Sequence, residues 1–219
     1  MAVVFFRSAM PSNFLRISLL YAVAFFFGIL SMGYQQVASR VLAPYFGGDY
    51  IVWSVLISTF LAAFTLGSFL GGWVSGLATK PRVRAVLVIG VIATLSLLLG
   101  EFGRRAILGG LEQQVDSVIL ALILGCAILF APPVITLSSM APIAIELLSN
   151  AGVASGKAAG RLYGVSTVGN IAGVFITALV LIPNLAIPVI LYGWSAMAAL
   201  CFAAFTLLIR FLWPDSSSS

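Results

Sequence analysis

Long apolar blocks alternate along this chain with short clusters of charge, and the block lengths set the predicted elements. Residues 17–39 carry no charge over 23 positions, 50–79 none over 30, and 162–209 none over 48. A bilayer core is roughly 30 Å thick and takes about 20 apolar residues per helical crossing. These three blocks therefore predict one, one and two crossings. Barrel strands alternate apolar and polar positions, whereas these blocks are apolar on every face. Helices also close their backbone hydrogen bonds internally, as lipid demands. The sequence predicts an all-α membrane protein with six transmembrane helices, at residues 15–37, 51–77, 85–100, 117–137, 162–182 and 185–212.

The third span has only 16 charge-free residues, about 24 Å of helix, and Arg84 can snorkel at its end to complete the crossing. The run from Pro183 to Pro188 splits the last block in two, because proline ends helices and Asn184 favours a turn. Between the third and fourth spans, Ile107, Leu108, Leu111 and Val115 are spaced for a short amphipathic helix lying on the outer surface. The first block is too long for a signal-peptide core and runs into Gln35, Gln36 and Arg40 without a convincing cleavage site, so it reads as a retained span. The expected organisation is a cytoplasmic segment at 1–14, the transmembrane domain at 15–212 and a disordered polar tail at 213–219.

Charge then fixes the sides. With six spans, Arg7, Arg16, Lys80, Arg82, Arg84, Lys157, Arg161 and Arg210 fall on one side, and Arg40, Arg104 and Arg105 on the other. This segregation follows the positive-inside rule and places both termini in the cytoplasm. The net charge of +5 is thereby a matter of topology and not of nucleic-acid binding. Composition agrees, with 62% hydrophobic and 8% charged residues, where soluble domains carry about 25% charged.

The chemistry on offer is sparse. There is no histidine, and Cys126 and Cys201 both sit within apolar blocks, where free cysteine packs as a small hydrophobe. No metal, no cofactor and no nucleophile–base pair is expected. Gly152–Lys157 lacks the spacing and the preceding strand of a phosphate loop. On its own the chain does not read as an enzyme.

Small and polar residues inside the spans carry the remaining signal. Gly67, Gly71, Gly72 and Gly76 near the end of the second span, and Ser166, Gly169 and Gly173 in the fifth, form ridges that allow close helix contact. They serve packing, or let these two helices slide against each other. Asn170 lies nine residues past Arg161, about 13 Å deep by helical rise. It can join helices through its amide or sit at the depth where transporters bind substrate. Gln35, Gln36 and Arg40 suit an interface or a polar vestibule. Glu146 follows the double proline Pro132-Pro133 and suits either a proton or cation site or an interfacial pair with Lys157 or Arg161.

Two stretches extend this reading. One runs from Gln35 through Ala38, Ser39, Arg40, Leu42, Ala43, Pro44, Tyr45, Phe46 and Gly47, with Val52-Trp53 and the glycine run from Leu66 to Gly72. The other runs from Gly160-Arg161-Leu162-Tyr163-Gly164 through Gly169-Asn170 to Pro183. Together they resemble the membrane portion of bacterial spermidine-synthase-like membrane proteins, fused major-facilitator/spermidine-synthase proteins. The resemblance implies half of a major-facilitator transporter joined to, or partnered by, a cytoplasmic aminopropyltransferase-like protein. This chain lacks that soluble domain, which is then a separate chain or absent, and the resemblance implies a bacterial inner membrane. The family often has an acid where Gln35 stands and a base where Glu146 stands. Residues 72–82 also resemble a degraded major-facilitator loop motif. The expected function is an integral membrane subunit that anchors or stabilises another membrane protein or a cytoplasmic enzyme. The alternative is a half-transporter for a polyamine or another small polar metabolite, working as a homodimer. A cavity reaching Asn170 belongs to the alternative, and tight packing throughout belongs to the subunit.

Overall fold

The computed structural model describes residues 10–212, with side chains from 14 to 211. The tail at 213–219 and most of the segment at 1–14 lie outside the described residues. Among those described, every regular element is helical, and six helices are long and apolar enough to cross a membrane. The chain is an all-α, multi-pass membrane fold.

Helix α1 (Met10–Phe46) is longer than the predicted span and carries Gln35, Gln36 and Arg40 within a continuous helix. It ends at Gly47, whose φ of +78° suits glycine and whose N–H donates to the Ala43 carbonyl, a left-handed cap. Two residues on, Asp49 begins α2 (Tyr50–Ser75), its Oδ1 accepting from the N–H groups of Ile51 and Val52 at 3.0 Å. The short link makes α1 and α2 a tight hairpin.

Helix α3 (Thr79–Phe102) is a full crossing of 24 residues. The basic first turns are helical too, because Arg82 finds partners there. Its Nη2 donates to the Ser75 and Leu77 carbonyls, both at 2.7 Å, satisfying acceptors that the end of α2 leaves open. The predicted surface helix is α4 (Arg104–Gln114), anchored by Leu108, which is fully buried where Gly125 of the next helix leaves room.

The fourth passage departs from prediction. Instead of stopping at residue 137, it runs as α5 (Val118–Leu129), α6 (Ala131–Ser138) and α7 (Met140–Asn150), with helical turns at Phe130 and Ser139 joining the three. Residues 117–145 are all uncharged, so charge does not mark where within them the crossing lies. Pro132 and Pro133 occupy the first positions of α6, and Pro142 the third of α7, where the missing N–H has no helical partner to lose. They bend the passage without ending it, and the membrane-length portion falls at Ala131–Asn150.

The fifth passage is α8 (Ser155–Phe175), a wide π turn at Ile176–Leu181, and the short α9 (Ile182–Asn184). An extended Leu185 breaks the chain where Pro183 and Asn184 predicted, and α10 (Ile187–Leu212) returns across the membrane.

Three close helix contacts hold the bundle. Against α1, a Cβ on Gly169 or Gly173 would overlap the Phe25 or Ile29 carbonyl, and one on Gly28 would overlap the Ser166 carbonyl. Against α6 and α7, Gly67 meets Ser138 and Ile135, and Gly71 meets the Ser139 carbonyl. Between α3 and α10, Gly90 leaves space for Phe202, which also stacks edge-on against Phe27 of α1 with ring centroids 5.1 Å apart. The two glycine ridges thus have separate partners, and the expected sliding of the second span on the fifth has no shared surface. Tyr34 ties α1 to α5 by donating to the Leu129 carbonyl at 3.3 Å.

Gly72 and Gly76 behave differently from Gly67 and Gly71. Both are exposed, and no other helix contacts the position of their Cβ atoms. Gly71→Ala should therefore lower stability by about 1–3 kcal/mol through overpacking, whereas Gly72→Ala should stay within about 0.5 kcal/mol as a surface change. Thermal melts in mild detergent separate the two outcomes. Arg82→Ala should cost about 2 kcal/mol through loss of charge-assisted bonds, with Arg82→Lys recovering part of it in the same assay.

Candidate functional site

Within α8, Tyr163, Ser166, Thr167 and Asn170 recur at i, i+3, i+4 and i+7, which places them on one helix face. This face borders a cavity of about 160 Å³ walled by α1, α2, α6, α7, α8 and α10. A single water needs roughly 10–15 Å³ on the same measure, so the space admits a small organic molecule. The α1 wall runs from Leu20 to Ser31, twelve residues spanning about 16 Å of helix.

Each wall has a reason for its position. Gly28 and Gly169 draw α1 and α8 together, bringing Ser31 and Asn170 to the same end of the cavity. Ser138 reaches it because the proline-bent fourth passage leans on Gly67 of α2. The apolar side consists chiefly of Val23, Phe27, Phe64, Met140 and Phe205. Ser68, Tyr163 and Thr167 are the exposed members of the lining, so the mouth lies between α2 and α8.

The polar groups divide into two kinds. Ser68 Oγ donates to the Phe64 carbonyl at 2.8 Å, and Ser138 Oγ to the Val134 carbonyl at 2.8 Å. Their hydrogens are used within their own helices. Ser31, Tyr163, Ser166, Thr167 and Asn170 have no side-chain hydrogen bond among the described residues. Asn170 is half-buried and sits near the middle of the 30-residue span Ser155–Asn184. Its carboxamide offers two donors and an acceptor to the cavity and joins no second helix. No Asp, Glu, Lys or Arg lines the space.

Of the residues singled out in the sequence, Asn170 and Ser166 come together here. The others lie elsewhere. Gln35 and Gln36 are half-buried and Arg40 is exposed, all beyond the Ser31 end of the cavity on α1 and outside its lining. Glu146 is in α7, past the proline-bent part of the passage, and its Oε1 accepts from Asn150 Nδ2 at 3.2 Å on the exposed face. Neither Lys157 nor Arg161 pairs with it; the ion pair among the described residues is Arg104–Glu101 at 3.3 Å. No group of three His, Cys, Asp or Glu side chains gathers among the described residues. Sequence reasoning missed Ser31, Tyr163 and Thr167. The spacing of the latter two with Asn170 was a readable signal.

Both native cysteines are buried, which makes thiol chemistry a clean probe of this space. Asn170→Cys and Thr167→Cys should react with a small water-soluble thiosulfonate reagent at rates well above Cys126 and Cys201. Labelling no faster than the native background would mean that the cavity is closed to water.

No protein-family model, curated protein or solved structure matches the chain.

Proposed function

We propose that this chain is half of a membrane unit that binds, and passes across the bilayer, a small uncharged molecule with one or two hydrogen-bonding groups. The observation that carries the reading is the cavity reaching Asn170, near the middle of its span, with a polar α8 face whose side chains are unpaired. Transporter substrate sites lie at this depth, on unsatisfied groups between helices. The lining has no carboxylate, and a polyamine would meet no counter-charge there, so a polyamine fits this space poorly.

The mouth supports a paired assembly. On α2, Ser54, Ser58, Thr65, Ser68 and Gly72 are exposed and share one helix face, and on α8 Gly160 and Gly164 are exposed with no neighbour at their Cβ positions. Small residues of this kind let a second bundle approach, and a second copy would close the open side of the cavity. The basic residues favour cytoplasmic termini in a bacterial inner membrane. A second reading rests on the same exposed faces and on the resemblance to spermidine-synthase-like membrane proteins. In it, the chain is a subunit whose α2 face holds another membrane protein or anchors a cytoplasmic enzyme.

Gentle extraction from the native membrane, followed by mass measurement and identification of the components, separates the two. A homodimer is expected. Within it, Asn170→Ala should weaken uptake or binding of the responsive solute about tenfold, the scale of one lost hydrogen bond in a partly buried site. A stable complex with a different protein, together with no effect of Asn170→Ala on any solute, would favour the subunit.

A further inference from the structure

A second concavity, of about 530 Å³, runs along the outside of the bundle between α3 and α10. Val83, Leu87 and Leu95 form one bank, Ala203 and Leu207 the other, and Arg210 stands at one end. The floor is narrow because Gly90 allows the two helices to meet; a Cβ there would lie 2.7 Å from the Phe202 Cβ. The lining of α3 spans residues 83–95, about 18 Å of helix. One leaflet of bilayer hydrocarbon is about 15 Å deep, so the groove matches a single leaflet.

Polarity is confined to one end. Thr94 and Thr206 also line the groove, but their hydroxyls donate to the Gly90 and Phe202 carbonyls at 2.9 and 2.7 Å. They offer no free donor to an occupant. Arg210 is exposed, packs its guanidinium over the Phe211 ring at 5.5 Å, and has no ion pair among the described residues. As the third and sixth spans, α3 and α10 cross in opposite directions, and Gly90 lies against Phe202, so the first turns of α3 lie at the Arg210 end. Those turns carry the exposed Lys80 and Arg84. No carboxylate lines the groove.

An occupant must therefore be apolar for one leaflet's depth and anionic at the membrane surface. We infer that the α3–α10 groove is a binding site for an anionic phospholipid, one acyl chain lying over Gly90 and the phosphate on Arg210, with Lys80 and Arg84 adding to the local positive field. A basic residue near the surface is worth about fivefold in affinity for anionic lipid.

The test uses the full-length chain in mild detergent, titrated with dioleoyl phosphatidylglycerol or dioleoyl phosphatidylcholine and read by native mass spectrometry. The wild type should retain the anionic lipid preferentially. Arg210→Gln should reduce that preference about fivefold, and Arg84→Gln with Arg210→Gln further, leaving retention of the zwitterionic lipid unchanged. Ala203→Phe should fill the groove and remove the bound anionic lipid while circular dichroism shows the helices intact. Equal retention of the two lipids by the wild type overturns the inference, as does preference unaltered by the double arginine variant. Dissociation of a dimer by Ala203→Phe also overturns it, because a second copy would then be the occupant.

Discussion

The backbone contact between α1 and α8 governs the rest of this bundle. Water supplies no force that drives helices together inside lipid, so packing at short range must do it. Gly28, Gly169 and Gly173 place three peptide groups of one helix against the other, a separation that any side chain would prevent. With that contact set, Phe27 points into α10 and Tyr34 reaches α5. The polar face of α8 then meets Ser31 across a gap. The cavity is what remains when α1 lies tightly on α8 while α2 leans the other way, onto the bent fourth passage.

The spans were legible because lipid penalises charge on every face of a helix, and uninterrupted apolar length is hard to mistake. The fourth was misplaced because residues 117–145 carry no charge and so do not mark where within that run the crossing lies. Which glycines pack was not legible either. Gly67 and Gly71 lie on one face of α2 and Gly72 and Gly76 on another. Glycine has no side chain whose polarity could say which face turns inward. The depth of Asn170 followed from simple helical rise, but its partners depend on how six helices lean together. That is tertiary information which the local pattern around Gln35 or Glu146 does not hold.

The polar groups within the spans also divide in a way that bears on mechanism. Ser54, Thr65 and Ser68 return their hydroxyls to carbonyls four residues back, which makes them tolerable next to lipid or another helix. Tyr163, Thr167 and Asn170 do not. An unsatisfied amide in a dry cavity is expensive, so water or a ligand is favoured there over a vacuum. The same groups that make the space hospitable to a solute make it costly to leave empty.

The absence of Asp, Glu, Lys and Arg from the cavity lining has an electrical consequence. Moving one elementary charge through a membrane potential of 100 mV involves about 2.3 kcal/mol. A neutral molecule passing through this space, with no carboxylate or basic side chain beside it, exchanges none of that work. Neither voltage nor a proton gradient has a handle within the cavity. A neutral solute within this lining would draw no work there from the membrane potential.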